Sequence, residues 1–157
     1  MKKIIVLGPP LTGKTTLANY LKSKTAIPVL DFDDELLKLN NGKYPANYPV
    51  LNEKLKAQVI KDVLQKNEVI FFAFEISFVD LRVMKRKRFT IVQLTADIEV
   101  LRTRNLARLV EQPENDAFQY VEKNMSYQKE IFELGLIDEV VNTTQSIEDI
   151  STFLLYL

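Results

Sequence analysis

The densest chemistry near the start of the chain lies in the run Gly8-Pro9-Pro10-Leu11-Thr12-Gly13-Lys14-Thr15. Gly8, Gly13, Lys14 and Thr15 fit the spacing G-x-x-x-x-G-K-[ST]. The two glycines permit backbone angles and a close approach that a side chain would block. Successive backbone N–H groups can then converge on an anion, at a helix start that itself favours negative charge. Lys14 supplies a point charge for terminal phosphates, and the Thr15 hydroxyl is placed to bind the Mg2+ that bridges them. Thr12 and Thr16 belong to the same nucleotide-binding set. Pro9 and Pro10 stiffen the loop and donate no N–H of their own.

Carboxylates form the second candidate group. Asp31, Asp33, Asp34 and Glu35 follow a short apolar segment. The chain has no His, so acid–base work falls to carboxylates, Lys, Tyr or water, and Asp33 is the leading general base. Asp31 is a candidate to hold magnesium through water. Helix capping is the competing explanation. It makes Asp33 an N-cap with Asp34 and Glu35 on the helix dipole, and it can coexist with chemistry. Glu75 ends the apolar run Val69–Phe74, where an acid can hold magnesium or orient water; a salt bridge or a cap is the alternative.

Arginines form the third. Arg102, Arg104 and Arg108 follow a later apolar segment. Arg104 and Arg108 are four apart and share a helix face, so one of them can clamp a transferring phosphoryl group. The run Arg82, Lys85, Arg86, Lys87, Arg88 is the densest basic patch; it reads first as a solvated helix face, with an anionic substrate or a nucleic acid as the alternatives. Tyr44 and Tyr48 can stack on a ring-bearing substrate or simply pack their own loop.

Positioning these groups demands alternating strands and helices. Strands are expected at 4–7, 28–30, 69–74, 89–94 and 139–141. The first is apolar and β-branched, as a strand buried on both faces must be. Helices are expected at 14–23, 35–39, 51–65, 79–87, 98–109, 117–134 and 146–156, the last capped by Ser146 with Asp149 three residues on. The result is a three-layer α/β/α domain around a mostly parallel sheet, spanning residues 1–157. In such a sheet ligands bind beyond the carboxyl ends of the strands, which places the loop and the aspartates on one edge.

Composition narrows the class. The chain has 157 residues, 21 Lys plus Arg against 21 Asp plus Glu, and no Cys. Disulfides and thiolate metal sites are excluded, and any metal must be hard and oxygen-bound. The balanced charge argues against a nucleic-acid partner. No apolar run approaches a membrane span. The N-terminal apolar run is too short for a signal peptide, so a cytoplasmic protein is expected.

The order of these features resembles the adenylate kinase and shikimate kinase-like group of small P-loop kinases. The resemblance runs from GPPLTGKT through the acidic segment to TADIEVLRTRNLAR and IDEVVNTTQSIEDI. It implies a five-stranded parallel sheet in order 2-3-1-4-5, a substrate-binding insert at about 35–66, and a short lid at about 104–118. It implies that Gly8, Gly13, Lys14, Thr15 and Thr16 hold the phosphates of ATP. Asp31 and Asp33 match paired aspartates that hold magnesium water and the acceptor hydroxyl. Arg104 or Arg108 matches the lid arginine, and Asn142 to Gln145 lie near the adenine. The glycine-rich segment that follows the third strand in the shikimate branch is replaced here by AFEIS.

The expected function is therefore ATP- and Mg2+-dependent phosphoryl transfer to a small molecule, either a nucleoside monophosphate or a hydroxyl metabolite. The alternatives are an NTP-hydrolysing switch, or a non-catalytic nucleotide-binding module, acting through a protein or RNA partner. The sequence leaves the acceptor and the oligomeric state open.

Overall fold

A computed structural model describes residues 1–45 and 47–157. Strands β1 (Lys3–Leu7), β2 (Val29–Asp31), β3 (Val69–Ala73), β4 (Thr90–Thr95) and β5 (Glu139–Asn142) form one five-stranded sheet in the order β2-β3-β1-β4-β5. Every pairing is parallel. The connecting helices are α1 (Lys14–Lys22), α2 (Phe32–Leu39), α3 (Pro49–Gln65), α4 (Phe78–Arg86), α5 (Ile98–Glu111), α6 (Val121–Glu133) and α7 (Ile147–Tyr156). This is the expected three-layer architecture and strand order. None of the helices is long and apolar enough to cross a membrane, among the described residues.

Alternation along the strands splits the core in two. Ile5, Leu7, Phe71, Ala73 and Ile91 face one side, where Val59 and Val63 of α3, Leu81 and Met84 of α4, and Ile131 of α6 close over them. Ile4, Val6, Ile70, Phe72, Val92 and Leu94 face the other, under Leu17 and Leu21 of α1 and Ile150 and Leu154 of α7. Phe71 and Phe72 are fully buried on opposite faces. Each such ring contributes roughly 1.5–3 kcal/mol by leaving water. A smaller cluster joins Leu11 of the loop to Leu101, Phe118 and Val121.

The register sets the edge where chemistry can occur. Leu7 pairs with Ala73 on β3 and with Gln93 on β4, and Asp31 pairs with Phe72. The chain therefore leaves β1, β2 and β3 at nearly one level, and the segments that follow these strands are neighbours.

Two element boundaries depart from expectation by three residues or more. α2 begins at Phe32, not at 35, because Asp31 and not Asp33 is its N-cap. The Asp31 carboxylate accepts the N–H of Asp33 at 3.0 Å and of Asp34 at 3.4 Å. α6 is preceded by a 3-10 turn, Phe118–Tyr120, in place of helix from 117, with Asp116 accepting the Phe118 N–H at 3.0 Å. Ser146 does cap the last helix, accepting the Asp149 N–H at 3.1 Å.

Candidate functional site

The loop between β1 and α1 has the backbone of an anion cradle. Gly13 sits at φ 84° and Leu11 at φ 69°. The left-handed turn at Gly13 suits a residue without Cβ. Leu11 holds the same region despite its side chain, which packs into the cluster with Leu101 and Phe118. A Cβ on Gly8 would lie 3.0 Å from the Leu94 Cβ and 3.0 Å from the Thr12 hydroxyl, so any side chain there would force its neighbours to shift. The backbone N–H groups from Leu11 to Thr16 donate to no protein acceptor among the described residues. Consecutive unpaired donors at a helix start are what an oligophosphate fills.

Side chains complete the loop. Thr12 is buried and its hydroxyl donates to the Pro9 carbonyl at 2.8 Å, bracing the turn. The Lys14 ammonium donates to the Gly8 carbonyl at 2.7 Å and the Pro9 carbonyl at 2.8 Å. Burial pulls Lys14 down to about 8, against the attraction of Asp31 and then of Asp33. Thr15 and Thr16 are exposed on the first turn of α1.

Asp31 and Asp33 lie within electrostatic reach of Lys14. Burial, the largest cause, raises Asp31, opposed by the two backbone N–H groups it caps. Burial also raises Asp33, followed by repulsion from Asp31 and Asp34, while Lys14 and Lys56 pull it back. Asp33 makes no side-chain hydrogen bond among the described residues, which leaves its oxygens available. Tyr44 is raised first by burial and then by Asp33, so the loop before α3 comes close to that carboxylate.

The remaining sequence candidates are placed as follows. Glu75 follows β3 and is exposed. Arg104 is tied down: it donates to the Leu11 carbonyl at 3.0 Å, the Thr143 hydroxyl at 3.0 Å and the Thr143 carbonyl at 3.0 Å. Its guanidinium thus joins the loop after β1 to the turn after β5. Arg108 is exposed one helical turn away. Asn142 ends β5, and its side chain accepts the Thr144 N–H at 2.9 Å, shaping the same turn. Lys85 of the basic patch pairs with Asp138 at 2.5 Å.

Sequence reasoning missed two features. Thr143 fell within the stretch Asn142 to Gln145, but nothing in the sequence marked it as the buried partner of Arg104. The polar stripe Asn124, Tyr127 and Gln128 on α6 stands at helical spacing, and it is buried rather than solvated.

Donor chemistry decides what ion fits. No group of three or more acidic side chains converges on one point among the described residues. Protein oxygens alone therefore build no cage, whereas Thr15 and Asp31 with phosphate oxygens and water suit Mg2+, which keeps several waters. A cleft of about 420 Å³ lies elsewhere, between α2 and α3 over Leu30, lined by Val59, Val63, Asp62 and Lys66.

No family model and no curated protein matches the chain. Solved structures do. A shikimate kinase from Bacteroides thetaiotaomicron matches with TM-score 0.76 at 16% identity, covering 99% of this chain and 99% of that one. A shikimate kinase from Acinetobacter baumannii, in complex with shikimate, gives 0.75 at 17% identity over 99% and 91% of the two chains. A gluconokinase from Sinorhizobium meliloti gives 0.61 at 13% identity over 99% and 90%. From end to end, the chain has the fold of these small P-loop kinases.

Proposed function

We propose that the chain is a phosphotransferase that uses ATP and Mg2+ to phosphorylate a hydroxyl of a small molecule in the cytoplasm. One observation carries the reading. The unpaired N–H groups of Leu11–Thr16 and the Lys14 ammonium stand at the same sheet edge as an Asp33 carboxylate whose oxygens are uncommitted. Donor cradle and base are thus held by the two strands that flank β3, β1 and β2.

The steps follow from the residues. The amides of Leu11–Thr16, with Gly8 and Gly13 giving access, bind the β- and γ-phosphates, and Lys14 moves from its loop carbonyls onto them. Thr15, with Asp31 through water, would hold Mg2+, which would neutralise phosphate charge. The acceptor hydroxyl oxygen attacks the γ-phosphorus in line. The bond from that phosphorus to the bridging oxygen breaks, ADP leaves, and the hydroxyl proton passes to Asp33. Its raised pKa makes Asp33 a better proton acceptor than an ordinary carboxylate. Glu75 is kept as a further candidate to orient the metal's waters.

In this reading residues 35–66 bind the acceptor and residues 104–118 form a short lid over a single domain. Arg104 fixes the turn holding Asn142 and Thr143, where the adenine would rest, and Arg108 is the arginine free to reach the phosphoryl group. A coupled ADP-release assay with Mg-ATP and a panel of hydroxyl compounds and nucleoside monophosphates tests this, with Lys14→Ala as control. Acceptor-stimulated release that vanishes in the control supports it. Slow release indifferent to every acceptor would favour an NTPase working through a partner.

A further inference from the structure

Just past β3, the backbone of residues 74–76 is fastened by one face of α6. The Phe74 carbonyl accepts Asn124 Nδ2 at 2.9 Å and Gln128 Nε2 at 3.3 Å. The Tyr127 hydroxyl accepts the Ile76 N–H at 2.9 Å and donates to the Ile76 carbonyl at 2.6 Å. Gln128 also donates to Asn124 Oδ1 at 3.1 Å, and its own oxygens accept Gln93 Nε2 at 2.8 and 3.0 Å. Gln93, Asn124 and Gln128 are all buried, and Phe78 stacks on Tyr127 at 6.0 Å. Buried polar groups tolerate no loose partner, so the network fixes this segment in one conformation.

What it fixes is an aromatic ring that the core does not use. Phe74 is 43% exposed, directly after five buried strand residues. Because Leu7 is level with Ala73 and Asp31 with Phe72, Phe74 leaves the sheet beside Gly8, between the phosphate loop and the Asp31–Asp34 segment. A ring on a backbone already immobilised loses little entropy when something stacks on it. Carboxylates outnumber cations around it, and Lys14 is committed to the carbonyls of Gly8 and Pro9. Asp31, Asp33 and Asp34 lie on one side and Glu75 follows Phe74. Lys56, the cation drawn toward Asp33, also lies 3.8 Å from Glu53.

We propose, building on the phosphotransferase reading, that Phe74 is the stacking wall of the acceptor site and that Asn124, Tyr127 and Gln128 are its positioning residues. The acceptor is then an uncharged hydroxyl compound with a flat unsaturated ring, the chemistry of a nucleoside. A flat ring matches the phenyl face, and an uncharged molecule avoids the repulsion that an anionic one meets from these carboxylates.

The test is steady-state ADP release with Mg-ATP and six probes: adenosine, guanosine, cytidine, uridine, shikimate and gluconate. Wild type is compared with Phe74→Ala, Phe74→Trp and Tyr127→Phe, each checked for folding by circular dichroism. A nucleoside should stimulate release. Phe74→Ala should raise its KM about tenfold, the loss of one stacked ring, with the KM for ATP unchanged. Phe74→Trp should restore it, and Tyr127→Phe should raise the acceptor KM while sparing that of ATP. Stimulation by shikimate or gluconate and by no nucleoside overturns the acceptor class and leaves the phosphotransferase standing. An unmoved acceptor KM in Phe74→Ala overturns the wall. If no probe stimulates release, saturation-transfer NMR with adenosine decides: ring signals lost in Phe74→Ala support the wall, and signals equal in both proteins, or absent from wild type, overturn it.

Discussion

The Asp31 carboxylate accepts the backbone N–H of Asp33 at 3.0 Å, so the first aspartate of the pair is fastened to the helix that carries the second. The two carboxylates therefore have separable duties. Asp33→Asn should lower kcat by about 10²- to 10⁴-fold, the usual size of a lost general base, with nucleotide affinity retained. Because burial raises Asp33 in the folded chain, its ionised form opposes folding once the pH has passed through that raised value. The same variant should accordingly melt higher than wild type at neutral pH, which scanning calorimetry reads directly.

Asp31→Ala removes the cap of α2 and should cost about 1 kcal/mol of stability, whereas Asp31→Asn keeps a good cap. Any Mg2+ role shows in the second variant alone. Its half-saturating Mg2+ concentration in the ADP-release assay should rise, and an unchanged value would assign Asp31 to capping only.

Lys14 is buried enough to titrate near 8. Nucleotide affinity, measured with a fluorescent analogue, should weaken by about tenfold from pH 7 to 9 as the free protein loses that charge. Lys14→Ala should abolish binding at both. The stability linkage has the opposite sense. The folded value lies below the ordinary 10.5, so the unfolded chain binds more protons between about 8 and 10.5, and stability rises with pH across that window. Lys14→Met should then be more stable than wild type at pH 7, by about 1–3 kcal/mol.

Arg104 and Arg108 share a helix face, yet among the described residues only the first is hydrogen-bonded to both the loop after β1 and the turn after β5. Arg104→Ala should destabilise by roughly 1.5–3 kcal/mol and raise the KM for ATP. Arg104→Lys should rescue little, since an ammonium cannot span Leu11 and Thr143 with one planar fork. Arg108→Ala should leave the melting temperature unchanged and lower kcat. Equal effects of the two alanine variants on stability would contradict this division.

Gly8→Ala and Gly13→Ala separate space from backbone angle. The first pushes a methyl against Leu94 and Thr12 and should eliminate nucleotide binding. The second meets nothing nearby and should cost about 1–2 kcal/mol, the price of a left-handed alanine. Thermal melts with and without nucleotide distinguish them.

The sheet was legible because its strands are unbroken apolar runs and its helices carry clear stops. Val69–Ala73 is buried throughout, as its composition demands. The start of α2 was not legible, because strand and helix share Asp31 with no loop between them. Residue types alone could not say which of three aspartates turns back to cap. The backbone of the loop at Gly8–Thr15 could be read because its close approach at Gly8 and its left-handed turn at Gly13 both call for glycine. Arg104 was picked out as a cation, but its three bonds join segments far apart in the chain. The α6 stripe was hidden for a related reason. Asn124 and Gln128 look like solvent-facing residues until the segment after β3 is laid on them.

The strand order carries a last consequence. β1, which bears the phosphate loop, is hydrogen-bonded on both sides, to β3 and β4. β2, which bears the aspartates, is three residues long and lies at the margin of the sheet. Amide exchange should be slowest at Ile5 and Val6, opening only with the whole molecule, and faster at Val29 and Leu30. A change on β2 therefore disturbs one ladder of backbone bonds, whereas a change on β1 disturbs two, so the sheet's rim can be revised while its keystone stays in place.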